Sequence, residues 1–139
     1  MPVVIGGDQM NNSSILSSVK KMLGLDDTYT EFDTDLVIHI NTALSVLTQL
    51  GVGPDEGFAI DSKVQTWDEF VDNVRLNNVK TYVYMKVKLI FDPPQNSSAR
   101  EAMEKLISEM EWRLTVQAEN EKTSFDAESE ADEDPEAVT

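Results

Sequence analysis

The residues able to do chemistry are few. His39 is the only histidine and cysteine is absent, which excludes disulfides, thiolate metal sites and thiol nucleophiles. The spacing places His39 in the middle of a helix, at the edge of an apolar face, with no second histidine to complete a metal pair. It reads as a structural residue. The carboxylate pairs Asp26-Asp27 and Asp33-Asp35 are candidates for acid–base work, but neither has the aromatic, burying surroundings that raise a general acid's pKa. Solvation and helix capping account for them better. The Asp26 to Asp35 segment also lacks the central glycine and the closing glutamate of an EF-hand loop. Gly51-Val52-Gly53-Pro54 follows a helix and carries no Lys-Ser or Lys-Thr, so it is a turn rather than a phosphate cradle. No catalytic, cofactor-binding or metal-ligating residue is expected.

Charge narrows the function classes further. The chain has 139 residues, a single-domain length, and 26 acids against 11 bases for a net of -15. Such a molecule repels phosphate backbones, so a sequence-reading DNA binder is disfavoured. Lys80, Lys86 and Lys88 cluster on one expected helix and Arg100, Lys105 and Arg113 on the next. They could line a nucleic-acid path, but pairing with carboxylates in the subunit or across an interface suits so acidic a chain better. The acidity is uneven: residues 119–139 hold nine acids and one base, and 1–118 hold seventeen and ten. Past Phe125 the segment has no aromatic residue and Val138 as its one β-branched aliphatic. Residues 118–139 are therefore expected to be an acidic, disordered C-terminal tail. Residues 1–12 are expected to be a flexible arm, within which Met10 is a second candidate start. No apolar run is long enough for a signal peptide or a membrane span, so the expectation is a soluble protein made in the cytoplasm.

Between arm and tail, 13–117 read as a mainly all-α domain. It is a small bundle of three to four long helices plus one short helix. Ser13 or Ser14 caps a short first helix bearing Ile15, Leu16, Val19, Met22 and Leu23, ended by Gly24. A second begins at Asp33 or Thr34, carries Leu36, Ile40, Ala43, Leu44, Leu47 and Leu50 on one face, and stops at Gly51. Residues 52–66 suggest a loop with a small β-hairpin, from the alternation of Phe58, Ile60 and Val64. Thr66 and Glu69 have capping-box spacing for a one- to two-turn helix presenting Trp67, Phe70 and Val71. A helix from about 77 to 91 is apolar almost all round, hence central or covered by another subunit, and Asp92-Pro93-Pro94 ends it. The last, about 98 to 117, is expected to start at a capping box of Ser97 or Ser98 with Glu101 and to bury Ala99, Ala102, Met103, Leu106, Ile107, Met110 and Leu114.

Two apolar residues do not fit these faces. Trp112 falls roughly 150° from the centre of the last helix's stripe at 3.6 residues per turn, and Ile38 stands similarly opposite the stripe of the second helix. Either a loop covers them or they mark a surface buried by oligomerisation, and the second is preferred.

Several segments, in order, resemble the head-tail connector (adaptor) family of long-tailed bacteriophages and prophages. They are Phe32-Asp33-Thr34-Asp35-Leu36, Leu44-Ser45-Val46-Leu47-Thr48-Gln49-Leu50-Gly51-Val52-Gly53, Trp67-Asp68-Glu69-Phe70, Tyr82-Val83-Tyr84-Met85-Lys86-Val87, Phe91-Asp92-Pro93-Pro94 and Glu111-Trp112-Arg113-Leu114. The resemblance runs from about 14 to 117 and rests on joint order, because each piece is a helix end or a packing residue. It implies a non-enzymatic virion protein of the neck, assembled in the host cytoplasm. Such a protein forms a homo-oligomeric, dodecameric ring beneath the portal protein. The ring would extend the channel through which genomic DNA passes without sequence-specific binding, and would dock the stopper or tail completion proteins. By family position Trp67 and Phe70 anchor the loop excursion against a helix of the same or a neighbouring subunit. Trp112 and Arg113 lie near a subunit or portal contact. With Ile38, these are the candidate interaction residues. The rival reading is an acidic DNA mimic or regulatory binding protein, which the total charge allows. A mimic should spread its carboxylates over a folded surface, whereas about half of the excess lies in the tail.

Overall fold

A computed structural model of the chain describes residues 13–72 and 74–138, with side chains described as far as 123. The arm expected at 1–12 lies outside the described residues. Among the described residues four α-helices follow one another: α1 (Ile15–Met22), α2 (Asp33–Gln49), α3 (Leu76–Phe91) and α4 (Ser97–Val138), with a 3₁₀ turn at Trp67–Glu69 between α2 and α3. The domain is all-α, and no strand occurs among the described residues.

The helix ends follow from local chemistry. The Ser14 Oγ accepts from the Ser17 amide at 3.1 Å and caps α1. At the end of α2 the Gly51 amide donates to the Thr48 carbonyl (3.1 Å) and the Val52 amide to the Leu47 carbonyl (2.9 Å). This is a Schellman motif, and it needs Gly51 at φ +91°. The same pair of bonds closes α1 through Gly24 and Leu25. Asp33 and Asp35 lie in the first turn of α2, where the helix dipole favours negative charge. At α4 the expected serine box is replaced by Asn96, whose Oδ1 accepts from the Ser98 and Ala99 amides at 2.8 and 3.2 Å. Asparagine just upstream of the first turn performs the same task, so the helix starts one residue earlier than its serines suggest.

α3 is the central helix, packing on α1, α2 and α4. Leu76, Val79, Tyr82, Val83, Met85 and Val87 are buried along it, which explains why it is apolar almost all round. α2 buries Leu36, Ile40, Ala43, Leu44 and Leu47, the stripe read from its spacing. α1 adds Ile15, Leu16 and Val19, and α4 adds Ile107 and Leu114.

The hairpin expected at 52–66 does not form. Ile60 makes its backbone bonds to one side chain instead: the Asn41 amide donates to the Ile60 carbonyl (2.9 Å) and its oxygen accepts from the Ile60 amide (2.8 Å). Gln65 Oε1 accepts from the Asp61 amide at 3.1 Å. Amide side chains thus take the place of a partner strand. Among the described residues the one β-type contact is an isolated antiparallel bridge, Ser14 to Thr66, which ties the loop to the start of α1. Ile60 is buried and Val64 is exposed, so the alternation reflects one anchor rather than a sheet face. The capping box at Thr66 and Glu69 is present, with the Thr66 amide donating to Glu69 Oε1 at 2.8 Å.

α4 differs from expectation at both ends. Of its apolar stripe, Ile107 and Leu114 are buried and Met103 and Met110 partly so, but Ala99, Ala102 and Leu106 are exposed. The helix runs from Ser97 to Val138, past the expected end at 117. Two contacts hold its first turns past 117. The Ala118 Cβ lies 3.1 Å from where a Cβ on Gly51 would stand, and Glu121 forms an ion pair with Arg75. Alanine, glutamate and lysine in this stretch are good helix formers, and the contacts add to that preference.

Candidate functional site

No group of three or more His, Asp or Glu side chains among the described residues is arranged to hold a metal ion. His39 is partly buried in the middle of α2. The structure's polar interior is instead built from lysine and carboxylate struts.

The most buried of these is Lys20, 1% exposed. Its ammonium donates to the carbonyls of Asp27 (3.1 Å) and Tyr29 (2.6 Å) and meets Asp33 Oδ1 at 2.8 Å. Three oxygens thus surround one cation and fold the 26–33 connection onto α1. Sequence reasoning missed Lys20, although its position four after Leu16 on a short amphipathic helix gave the signal. Asp27 extends the strut outward. Its carboxylate accepts from the Ser17 hydroxyl (2.7 Å) and from Lys63 Nζ (3.2 Å), which hold its pKa below the usual value in that order of effect. Lys63 thereby fixes the edge of the 61–64 loop.

A second strut joins α3 to α4. The Tyr82 hydroxyl donates to Glu111 Oε2 at 2.7 Å, and Lys86 Nζ stands 3.9 Å from the same oxygen. Burial first, and then Glu111, push the Tyr82 pKa far above the ordinary phenol range. Lys88 pairs with Asp92 at 3.3 Å. Lys80 lies 5.7 Å from the centroid of the Trp67 ring, and burial lowers its pKa. The cations of α3 are therefore engaged inside the subunit.

The five candidate interaction residues divide into two groups. Trp67 is fully buried, with its indole N–H donating to Ser18 Oγ at 3.0 Å. Phe70 is 3% exposed, and its ring packs against Phe58 at 5.6 Å. A Cβ on Gly53 would lie 2.5 Å from the Phe70 ring, so only glycine fits beneath it. Both aromatics anchor the loop excursion within the same subunit. Ile38, Trp112 and Arg113 remain on the surface, with Ile38 57% and Trp112 68% exposed.

Each surface apolar residue has company. Ile38 lines an open, largely apolar groove of about 480 Å³ with Leu16, Val37 and Val64, rimmed by Asp33, Asp61 and Lys63. Trp112 and Arg113 border a shallow hollow with Ser108 and Glu109 on α4. Leu106 is half exposed on the same helix. Together these make two exposed surfaces that include apolar side chains, on different elements. Exposed groupings of this kind mark binding surfaces rather than chemistry.

No helix among the described residues is long and apolar enough to cross a membrane. Neither a curated protein nor a solved structure matches the chain. A family model described as phage connector protein, however, matches residues 15–121. That span holds the four-helix core, both struts and both exposed surfaces, and it covers most of the chain, so this protein belongs to the phage connector family.

Proposed function

We propose that this connector is a structural, non-enzymatic component of the virion neck, forming a ring beneath the portal that extends the DNA channel and docks the stopper or tail. The observation that carries the reading is the pair of apolar surfaces left uncovered after the core is complete. Trp112 and Leu106 on α4, and Ile38 and Val64 across α2 and the loop, are open to solvent, as are Val74 and Ile90, in a domain that has already filled one core. A chain with net charge -15 would give the channel wall few cations for phosphates to hold, so DNA would pass with little counterion release.

The test is co-assembly of the full chain with the portal protein of the same phage, followed by electron microscopy. The expected outcome is a ring of connector density under the portal, lost in Trp112→Ala. Absence of any ring with the native chain would reject the reading. If the chain instead inhibited DNA-binding enzymes and ignored the portal, the DNA-mimic reading would replace it.

A further inference from the structure

The 61–64 loop forms one wall of the groove that Ile38 lines, with Leu16 of α1 and Thr34 and Val37 of α2 among the residues that form the rest. The loop is built to keep its own shape. Gln65 Oε1 accepts from the Asp61 and Ser62 amides at 3.1 and 3.3 Å, and the Gln65 side-chain amide donates to Asp61 Oδ1 at 2.8 Å. Ser62 Oγ accepts from the Val64 amide at 3.2 Å. Both ends are fixed. Asn41 grips the Ile60 backbone with two bonds, and the Gln65 carbonyl accepts from the Ile15 amide at 3.0 Å. Between those ends, Lys63 makes the only polar tie from 61–64 to another element among the described residues. A self-bonded tip with two fixed ends and one outer tie can swing as a unit about the line from Ile60 to Gln65.

That outer tie is of a weak kind. Lys63 Nζ meets Asp27 Oδ2 at 3.2 Å and the Asp27 carbonyl at 3.4 Å, and the two side chains are 45% and 55% exposed. Exposed pairs of this sort contribute little and are screened by salt. Asp27 itself is held firmly to α1. Its carboxylate accepts from the Ser17 hydroxyl at 2.7 Å and its carbonyl from Lys20 Nζ at 3.1 Å. Lys20 is 1% exposed, and removing a buried cation from its oxygens is strongly unfavourable. Asp27 therefore belongs to a fixed post, while Lys63 sits on the part that can move.

We propose that the 61–64 loop is a movable wall of this groove, latched to Asp27 by Lys63, and that salt releases the latch while the Lys20 post stays closed. Release swings the loop away from Val37 and Leu16 and widens the groove. The latch operates within one subunit, so it stands or falls separately from ring formation.

The absence of cysteine allows one reporter thiol at a time. Val37→Cys puts it in the groove at a half-buried position, and Ser108→Cys puts it on α4, outside the groove. Each is labelled with an uncharged disulfide reagent on the dilute full chain. Between low salt and about 0.5 M salt, the rate at position 37 should rise about threefold relative to position 108. Lys63→Met keeps the length of the side chain without its charge, and should label position 37 at the fast rate in low salt with no further response to salt. Asp27→Asn should do the same from the other side, since it keeps the carbonyl that Lys20 holds. The two together should label no faster than either alone, as for two halves of one contact. Lys63→Arg should retain the salt response. A low-salt rate unchanged by Lys63→Met, a salt response that survives it, or additive effects of the two variants would overturn the latch. Equal acceleration by salt at positions 37 and 108 would overturn it as well.

Discussion

The chain's two tryptophans occupy opposite circumstances. Trp67 is sealed in the core, its indole N–H bonded to Ser18 and Lys80 beside its ring. Trp112 is 68% exposed on the outer face of α4. A large aromatic carries much buried area wherever it is covered. At Trp67 that area holds the 3₁₀ turn and the loop to α1, whereas at Trp112 it is available to another molecule. The residue type is the same, and the placement decides whether its area is spent on folding or left open to solvent.

The contrast can be broken by substitution. Trp67→Ala should cost the isolated subunit about 3–5 kcal/mol, since it empties a full aromatic site and removes the indole donor from Ser18. Thermal melting would show it, and a native-like midpoint would mean the loop is held some other way. Lys20→Met should come next, at about 3 kcal/mol. It leaves Asp33 and two carbonyls without their shared donor. A shift in urea midpoint at constant slope would measure it.

Tyr82→Phe sharpens the contrast at the other interface of the core, that of α3 with α4. Losing the bond to Glu111 should cost about 1.5 kcal/mol. The Tyr82 pKa is raised in the fold, so its contribution is fully present below the unfolded phenol value of ~10 and drains away as pH rises beyond it. The native chain should therefore lose stability between about pH 10 and 11 by more than Tyr82→Phe does. Equal losses in denaturant titrations would rule out Tyr82 as the alkaline-sensitive group.

The smallest effect on the subunit is expected at the exposed tryptophan. Trp112→Ala should change monomer stability by no more than about 0.5 kcal/mol while removing ring formation. Iodide quenching offers an independent reading: Trp112 emission should be quenched in the monomer and protected in the ring, and Trp67 should be protected in both. Assembly that survives Trp112→Ala would collapse the distinction between the two sites.

Much of the architecture was legible where a local rule and a tertiary role coincide. The α2 stripe from Leu36 to Leu47 is one helical face because that face is the core. Asp92-Pro93-Pro94 ends α3 because proline cannot continue it, and Thr66 with Glu69 closes the turn that buries Trp67. The hairpin failed because alternation of Phe58, Ile60 and Val64 cannot reveal that Asn41, nineteen residues upstream of Ile60, would supply the partner for its backbone. The α4 stripe was over-read for a related reason. Periodicity shows which residues share a face but not how far a neighbour extends along it, so Ala99, Ala102 and Leu106 are uncovered. The off-face positions of Ile38 and Trp112 were readable as angles, and their exposure agrees with that geometry. That Trp67 and Phe70 lie inside the subunit needed the packing of α1 and the Gly53 turn, neither of which spacing encodes.

Lys20 has a consequence of a different kind. An acidic loop that encloses a cation with backbone carbonyls and a carboxylate is an arrangement other proteins reserve for a dissolved ion such as calcium. Here the cation is tethered to its own backbone by four methylenes. Its occupancy depends on no external concentration, so chelators and dilution leave the 26–33 connection as it was.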